Sequence, residues 1–444
     1  MDRKINKSDS RGYIARYKGS FLDWKTFEGH VGRVRKTILC TNALIENAKV
    51  LNLCADRYHF LVVFTASMLE NRTTVMPSNR SDGELARMVE ANPGIKKVRD
   101  TDIEQICQNS EVADTIQWSS DLIQDSMVVA EVFTSGSTGN PRSNPKTWGQ
   151  LVNGIKQVYA RFDLNNTMPS IIATVPPQHM FGFEMSILMP LVSGACIHHA
   201  QPFYPLDIQH ALADMPSPRV LITTPIHLKA CLTVETDWPD VSFIMSATAP
   251  LPHNVAEEAE DKINTEIKEV YGCSEVGAIA TRQMTKSYDW ELFSDYRLSI
   301  EEDKALLQVP ACEKTIELPD KLEIKLEGYF SLIGRTSDLI KIGGKRGSIS
   351  EIITHIKSIE GVSDAVVFRP DDGNNDRFRL AALVVAPKLT LEQLRGSLVK
   401  DIDPVFMPRP LCIVSELPYN SVGKLPIKSL LENLKKYKSE SKLC

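Results

Sequence analysis

Short apolar runs rich in β-branched residues recur through the middle of the chain, and each is followed by turn residues and then by helical sequence. Such runs lie at residues 171–175, 220–224 and 241–246. Strands that are apolar on both faces and alternate with helices are typical of a mostly parallel sheet covered by helices on both sides. The pattern therefore predicts an α/β fold with mostly parallel sheets for the larger part of the chain.

The first third of the chain shows the same alternation. Residues 21–38 and 57–69 predict helices, and Asp56 has the chemistry to cap the second of them. Residues 50–54 and 73–76 predict the strands on either side of that second helix. We therefore expect the α/β pattern to begin well before the middle of the chain.

Beyond residue 334 the pattern changes to that of a small α+β unit. Helices are predicted at residues 351–359 and 391–400, and strands at 365–369, 380–385 and 411–414. A unit of roughly a hundred residues is large enough to form its own domain. We therefore predict a large N-terminal domain over residues 1–334 and a small mobile domain over residues 335–444.

The composition excludes several classes of protein. The chain has 444 residues, of which 43% are hydrophobic and 24% charged, and its net charge of −5 gives no footprint for nucleic acid. The first twenty residues lack the apolar core of a signal peptide, and the apolar run at residues 60–68 is too short to span a membrane. Nine cysteines without a C-x-x-C pair argue against a zinc site or a disulfide framework and indicate the reducing cytoplasm.

A run of serines, threonines and glycines follows a strand-like segment at residues 127–133. It reads Thr134-Ser135-Gly136-Ser137-Thr138-Gly139-Asn140-Pro141-Arg142. Glycines permit backbone shapes in which successive N–H groups cradle phosphate oxygens, and the hydroxyls add further donors. Arg142 and Lys146 are the two candidates for the cation that meets the phosphates. A flexible turn is the alternative, and the G-x-x-x-x-G-K-[ST] spacing of nucleotide hydrolases is absent.

This loop resembles the T-S-G-S-T-G-x-P-K signature of the adenylate-forming superfamily, which includes acyl-CoA synthetases, the adenylation domains of peptide synthetases and firefly luciferase. Arg142 stands where that signature has lysine. Five more segments resemble motifs of the superfamily in the same order, at residues 176–182, 246–251, 270–275, 334–346 and 417–424. The resemblance therefore extends over nearly the whole chain.

The resemblance implies a nucleotide site. Its phosphate-binding residues would be Thr134, Ser135, Gly136, Ser137, Thr138, Gly139 and Arg142. The ring of Tyr271 would stack on adenine, and the hydroxyl of Ser274 would bond an α-phosphate oxygen. Glu275 would hold Mg²⁺ together with the phosphates of ATP. Asp320 would accept the ribose hydroxyls, and Arg335 would contact ribose or phosphate.

The resemblance also implies an acyl pocket and a moving small domain. The acyl pocket would include His179, Phe181, Gly182, Ala247 and Thr248, and the segment of His179 also lines the path of the thiol. The catalytic residues would be Lys424, Glu275 and His179. Ala247 and Thr248 replace two glycines of the S-G-G-A-P-L motif, which predicts a narrower pocket. The hinge falls on Ser337, the thiol-transfer loop holds Lys341, Gly344 and Arg346, and Lys424 would bridge the carboxylate and the α-phosphate.

These features predict an enzyme that activates a carboxylic acid with ATP and passes the acyl group to a thiol. The chain also resembles the small ligases of aryl polyene and xanthomonadin clusters, which implies an aromatic acid such as a hydroxybenzoate and an acyl carrier protein as acceptor. Coenzyme A is the alternative acceptor, and a non-catalytic homologue that binds nucleotide or carrier protein is the remote alternative. The glycine–lysine spacing disfavours a Walker-type phosphotransferase.

Overall fold

The computed structural model describes most of the chain. The described residues are 12–39, 48–77, 80, 82–108, 117–134, 142–164, 167–302, 304–310, 315–335, 339–342, 345–370, 379–420 and 425–439. Two units pack internally, Met1–Leu298 with Leu307–Ile316 and Ser299–Leu306 with Glu317–Cys444. Residues 317–334, which the sequence assigned to the large domain, group with the second unit. This grouping by contacts does not test a boundary between domains, so the boundary at residue 334 stays a prediction.

Ten α-helices are found in the described part of the first unit. They are α1 (Trp24–Val34), α2 (Arg57–Leu69), α3 (Asp82–Ala91), α4 (Asp100–Gln108), α5 (Trp148–Arg161), α6 (Met180–Phe183), α7 (Met189–Ser193), α8 (Pro205–Ala213), α9 (Pro225–Leu232) and α10 (His253–Ile263). A π-helical segment, Arg35–Leu39, continues α1, and a second one, Glu184–Leu188, joins α6 to α7.

The strands of the first unit build two sheets. They are β1 (Tyr13–Tyr17), β2 (Ser20–Asp23), β3 (Lys49–Asn52), β4 (Thr73–Met76), β5 (Lys96–Val98), β6 (Val128–Thr134), β7 (Arg142–Thr147), β8 (Ser170–Ala173), β9 (Cys196–His198), β10 (Arg219–Thr223), β11 (Phe243–Ser246), β12 (Ile267–Cys273), β13 (Gly277–Arg282) and β14 (Trp290–Leu292). The next three strands each have residues in both units, and they are β15 (Arg297–Glu301), β16 (Lys304–Gln308) and β17 (Ile316–Glu317).

Parallel pairing dominates both sheets, as the sequence predicts. The smaller sheet has the order β5-β3-β4-β6-β7, and only its β6–β7 pair is antiparallel. Within the first unit the larger sheet runs β14-β13-β12-β11-β10-β8-β9-β1-β2, and its central strands from β12 to β1 are parallel. Strands β8 and β11 are buried at every residue, because helices cover both faces of the sheet. The α/β fold is thereby confirmed.

Helix α2 shows how the sequence fixes a buried element. It spans the predicted residues 57–69, and the Asp56 carboxylate accepts hydrogen bonds from the backbone N–H of Tyr58 (2.9 Å) and of His59 (3.2 Å). Every residue from Arg57 to Met68 is buried. An apolar helix of this kind belongs in the core rather than on the surface.

The helix predicted over residues 21–38 is wrong at its beginning. Residues 20–23 form strand β2, which pairs antiparallel with β1 through a turn at Lys18 and Gly19. Helix α1 begins only at Trp24, where Asp23 caps it by accepting a hydrogen bond from the N–H of Thr26 at 2.7 Å. Pairing with β1 determines the conformation of residues 21–23, because their own sequence does not distinguish a strand from a helix.

The second unit is a small α+β structure. Its strands are β18 (Asp320–Leu326), β19 (Tyr329–Arg335), β20 (Leu339–Ile342), β21 (Lys345–Ser348), β22 (Asp364–Phe368), β23 (Ala381–Val385) and β24 (Leu411–Ile413), and its helices are α11 (Ile349–Lys357), α12 (Leu391–Asp401) and α13 (Ile427–Ser439). Strand β23 pairs antiparallel with β22 and parallel with β24. One face of this sheet packs on α11 and α12, and the other face packs on α13.

Two further expectations concern membranes and cysteines. No helix of the described residues combines the length and the apolar character that crossing a membrane requires. The cysteines Cys54, Cys107, Cys196, Cys231 and Cys273 form no disulfide, whereas Cys412 is disulfide-bonded. The bond at Cys412 is not expected in the reducing cytoplasm that the cysteine pattern indicates.

Candidate active site

Three of the predicted segments meet at one edge of the larger sheet. Residues 176–182 follow β8, residues 247–251 follow β11, and residues 271–275 comprise the end of β12 and the turn after it. Strands β8, β10, β11 and β12 are parallel neighbours, so their carboxyl ends lie side by side. The carboxyl edge of a parallel sheet is where α/β proteins bind their ligands. The structure thus gathers the candidates for the acyl pocket, for the adenine contact and for the metal ligand.

The segment after β8 is held by two arginines that the sequence analysis overlooked, Arg57, which is buried, and Arg80, which is partly buried. Arg57 donates hydrogen bonds to the carbonyl oxygens of Ala173 and Val175, both at 2.9 Å. Arg80 donates to the side-chain oxygen of Gln178 at 3.2 Å. These contacts fix the backbone that leads into His179. The clue in the sequence is slight, because a single arginine before an apolar helix has no characteristic spacing.

His179 precedes helix α6, and Phe181 and Gly182 lie within it. The side chains of His179 and Phe181 are partly exposed, whereas Gly182 is buried. A Cβ atom on Gly182 would come within 2.1 Å of the carbonyl oxygen of Pro176. Only glycine therefore lets α6 pack this closely against the segment that precedes it.

The loop after β11 places Ala247 in a buried position and leaves Thr248 exposed. Thr248 has a φ of +79°, in the left-handed region that β-branched residues rarely adopt. The resemblance places a glycine at this position, and the backbone keeps the shape that a glycine would suit. The predicted narrowing of the pocket by Ala247 and Thr248 stays a prediction.

Tyr271 is a buried residue of β12, and its ring centroid lies 5.6 Å from that of Trp290. The guanidinium of Arg282 covers the other ring of this pair, 4.3 Å from the Trp290 centroid. Glu269 accepts hydrogen bonds from Arg282 at 2.6 and 3.1 Å and from the N–H of Leu251 at 3.2 Å. Burial raises the pKa of Glu269, and the bonds from Arg282 oppose that rise. Glu269 therefore ties the loop after β11 to the strand that carries Tyr271.

Ser274 and Glu275 lie in the turn between β12 and β13. Ser274 is partly buried and Glu275 is exposed. Glu275 also lines a small cavity together with Gln150, Asn153, Val276, Tyr296, Val309 and Ile316. An accessible carboxylate beside side-chain amides offers the oxygen donors that Mg²⁺ prefers.

Lys146 is one of the two cations proposed for the phosphates, and the structure places it inside the protein. Its side chain is 2% exposed, and its ammonium donates a hydrogen bond to the carbonyl oxygen of Glu275. This contact assigns Lys146 to the turn of Glu275. Whether Arg142 or Lys146 meets the phosphates stays open.

The phosphate loop is bounded by the hairpin of β6 and β7. Thr134 ends β6 and Arg142 begins β7, and the two residues are paired across the hairpin. The predicted phosphate-binding residues Ser135, Gly136, Ser137, Thr138 and Gly139 lie outside the described residues. Their roles therefore stay predictions.

The predicted residues of the second unit lie on two hairpins. Asp320 pairs with Arg335 across β18 and β19, and Lys341 pairs with Arg346 across β20 and β21. The first pairing brings the two ribose candidates to the open end of one hairpin. The hinge residue Ser337, Gly344 of the transfer loop and the catalytic candidate Lys424 lie outside the described residues.

Residues 48–302 match the protein family described as AMP-binding enzyme. The chain is 28% identical over 301 residues to a 4-coumarate–CoA ligase of Halorhodospira halophila, covering 66% of this chain and 73% of the relative. It is 24% identical over 315 residues to a 3,4-dihydroxybenzoate–[aryl-carrier protein] ligase of Bacillus anthracis, covering 67% and 72%.

A solved structure shares the fold over almost the whole length. It is O-succinylbenzoate coenzyme A synthetase from Bacillus subtilis in complex with ATP and magnesium ion, with a TM-score of 0.78 and 16% identity. The match covers 97% of this chain and 98% of that chain. Because the family match covers more than half of the residues and three of the motifs meet at one sheet edge, the chain belongs to the AMP-binding enzyme family, and its relatives indicate an AMP-forming acid–thiol ligase.

Proposed function

We propose that this ligase activates an aromatic acid, such as a hydroxybenzoate, and transfers it to the phosphopantetheine thiol of an acyl carrier protein. The observation that carries the proposal is the convergence of the segments of His179, Ala247 and Glu275 at one edge of the sheet. Two relatives support the aromatic acid, because their names specify 4-coumarate and 3,4-dihydroxybenzoate. The second name also specifies an aryl-carrier protein.

The chemistry explains why ATP is needed. A carboxylate does not acylate a thiol at neutral pH, because oxide is a poor leaving group. In the first step a carboxylate oxygen bonds to the α-phosphorus of ATP, and the bond from that phosphorus to pyrophosphate breaks. In the second step the thiol sulfur bonds to the acyl carbon, AMP leaves with its oxygen, and the thiol proton passes to solvent.

The residues of this chain would act mainly by positioning and by electrostatics. Lys424 would bridge the carboxylate and the α-phosphate, and Ser274 would bond an α-phosphate oxygen. Arg142 and the loop of Thr134 would hold the outer phosphates. Rotation of the small domain at Ser337 would then withdraw Lys424 and bring in the loop of Lys341, Gly344 and Arg346.

The donor set fits Mg²⁺ bound with the nucleotide. No group of three or more His, Cys, Asp or Glu side chains within the described ranges could form a closed metal cage. Glu275 instead offers one accessible carboxylate, and Mg²⁺ is commonly held by one or two carboxylates together with substrate phosphates. When bound, the ion neutralises charge that develops on the phosphates. We therefore assign Mg²⁺ to Glu275 and ATP.

Coenzyme A is the alternative acceptor, and the 4-coumarate–CoA ligase relative supports it. A non-catalytic homologue that binds nucleotide or carrier protein is the remote alternative, because Arg142, Ala247 and Thr248 depart from the motifs of the superfamily. We also propose a cytoplasmic location. Five cysteines of the described residues form no disulfide, which favours that location, and the disulfide at Cys412 argues against it.

Exchange of labelled pyrophosphate into ATP tests the proposal. We expect exchange with aromatic acids above that with aliphatic acids, and a loss of about 100-fold or more in Lys424→Ala. Lys428→Ala is the matched control, because Lys428 is an exposed lysine of α13. That variant should exchange at the wild-type rate.

The acceptor is tested next, by comparing carrier protein and coenzyme A with the preferred acid. Transfer to coenzyme A alone would exclude the carrier protein as acceptor. Folded wild-type protein that binds ATP but shows no exchange with any acid would contradict adenylation and favour the non-catalytic homologue.

A further inference from the structure

A buried lysine donates a hydrogen bond to the turn that carries Glu275. Lys146 lies on β7, next to the phosphate loop, and its side chain is almost completely buried. Its ammonium donates a hydrogen bond to the main-chain carbonyl oxygen of Glu275, 129 residues later in the chain. A charge-assisted bond of this kind is stronger than a neutral one, so it fixes the backbone of Glu275.

A buried carboxylate holds the other end of the same turn. Glu184 lies in the π-helical segment between α6 and α7, and it is 3% exposed. Both of its carboxylate oxygens accept from the N–H of Ala278, at 3.2 and 3.1 Å. Ala278 follows the turn by one residue on β13. The turn is therefore held at Glu275 by one buried charged group and at Ala278 by another.

Gly277 shows how closely the turn approaches Glu184. Its φ is +106°, and a Cβ atom at this position would lie 2.1 Å from Glu184 Oε1. Glycine is therefore required at residue 277 by backbone conformation and by space. The backbone at Gly277 is thus packed closely against Glu184, which also accepts from the N–H of Ala278.

The two buried groups also act on each other electrostatically. Burial raises the pKa of Glu184 to about 7, while the N–H of Ala278 and the charge of Lys146 oppose that rise. Burying a carboxylate as completely as this costs free energy unless it accepts hydrogen bonds and is paired with a cation. Packing alone does not explain a lysine and a glutamate here, because apolar residues of the same volume would fill this space without the desolvation cost.

We propose that Lys146 and Glu184 are positioning residues that hold the turn of Glu275 in the conformation that binds Mg²⁺ with ATP. This inference rests on the proposed function. A carboxylate on a fixed turn loses less conformational freedom when it binds a metal than one on a mobile turn. The pair therefore acts through Glu275 and needs no contact with the substrate.

The first experiment compares Lys146→Met with the wild type. Methionine has a similar volume but lacks the donor, so the Glu275 carbonyl loses its hydrogen bond. In protein without metal or nucleotide, we expect amide hydrogen exchange over residues 275–278 to become at least 10-fold faster. In pyrophosphate exchange at saturating ATP, we expect the Mg²⁺ concentration for half-maximal rate to rise at least 5-fold, and excess Mg²⁺ to restore most of the rate.

Tyr159→Phe is the matched control. Tyr159 is a buried residue of α5 whose hydroxyl shares a hydrogen bond with Ser193, so this variant also removes a buried hydrogen bond. Neither residue belongs to β7 or to the turn. We expect its Mg²⁺ dependence and its amide exchange at residues 275–278 to match the wild type.

Glu184 provides the second pair of variants, which also serves if Lys146→Met does not fold. Glu184→Gln keeps an acceptor for the Ala278 N–H, and we expect its Mg²⁺ dependence to change less than 2-fold. Glu184→Leu removes the acceptor, and we expect the same changes as for Lys146→Met. A Glu184→Leu protein with wild-type amide exchange and Mg²⁺ dependence would overturn the inference.

Two other outcomes separate the inference from the proposed function. A rate loss in Lys146→Met that excess Mg²⁺ does not restore would overturn the positioning role and indicate direct action on ATP. A wild-type protein without pyrophosphate exchange would overturn the proposed function itself. Amide exchange in the variants would then still show whether Lys146 and Glu184 hold the turn.

Discussion

Thr248 occupies a backbone conformation that suits glycine. A β-branched side chain at positive φ costs on the order of 1–2 kcal/mol, because its Cβ approaches the following carbonyl oxygen. The residue lies beside the predicted acyl pocket, where the S-G-G-A-P-L motif has glycine.

Thr248→Gly should stabilise the protein by about 0.5–1 kcal/mol, because the relief of strain exceeds the extra entropy of glycine in the unfolded chain. Chemical denaturation of the two proteins measures this difference. The control is Thr233→Gly, since Thr233 is also exposed but has an ordinary φ of −81°. That change should destabilise the protein, and equal effects at both positions would refute the strain at Thr248.

At the scale of elements, α2 is tied to the active-site strand by a single buried side chain. Arg57 is fully buried, and burial lowers its pKa to about 10. It donates to the carbonyl oxygens of Ala173 and Val175 and to the hydroxyl of Ser186. One guanidinium therefore joins α2, the end of β8 and the segment between α6 and α7.

Arg57→Leu should destabilise the protein by about 3–5 kcal/mol, because the buried acceptors lose their donor. It should also slow adenylation, since the end of β8 leads into the segment of His179. Denaturation and pyrophosphate exchange measure the two effects. Arg16→Leu is the comparison, as it removes a partly exposed ion pair with Asp214 and should cost about 1 kcal/mol or less. Similar losses in both variants would contradict this account.

The sequence predicted the elements that depend on local pattern. Helix α2 and strand β4 were predicted to the residue, and β8, β10 and β11 were placed within two residues of their ends. The β1–β2 hairpin was missed because its strands are only partly apolar and its sheet partner lies far along the chain. Local periodicity carries no information about such a partner.

The residues of the candidate site were likewise predicted only in part. Motifs named Glu275, Tyr271 and His179 as candidates, because those residues stand in characteristic local sequences. The roles of Lys146 and Glu184 depend on contacts that bridge 129 and 94 residues, so no local sequence could predict them. Their partners are backbone atoms, which any residue type supplies.

At the scale of the whole molecule, two buried histidines should make stability depend on pH. Burial lowers the pKa of His30 to about 4, with smaller effects from Arg33 and His59, and burial alone lowers the pKa of His227 to about 4. Between pH 6.5 and 4 the unfolded chain binds a proton at each site that the folded protein does not bind. These two histidines therefore leave the free energy of unfolding unchanged well above pH 6.5. Below that pH each of them lowers it by about 1.4 kcal/mol per pH unit.

Chemical denaturation between pH 8 and 5 measures this slope. His227→Gln should reduce the fall between pH 6 and 5 by about 1.4 kcal/mol and leave the slope between pH 7 and 8 unchanged. His30→Gln should do the same, and its amide can still bond the Tyr58 hydroxyl, which contacts His30 at 2.7 Å in the wild type. A wild-type slope in both variants would show that other groups govern the response to acid.

The pairing of β1 with β9 also sets an order for synthesis on the ribosome. Ala15 and Arg16 find their parallel partners at Ile197 and His198, and the carbonyl oxygen of Arg16 accepts from the N–H of His199 at 3.0 Å. At about 5–20 residues per second, the intervening chain takes roughly 10–40 s to emerge. Strand β1 therefore stays without its partner β9 for that time, and its backbone is accessible to chaperones.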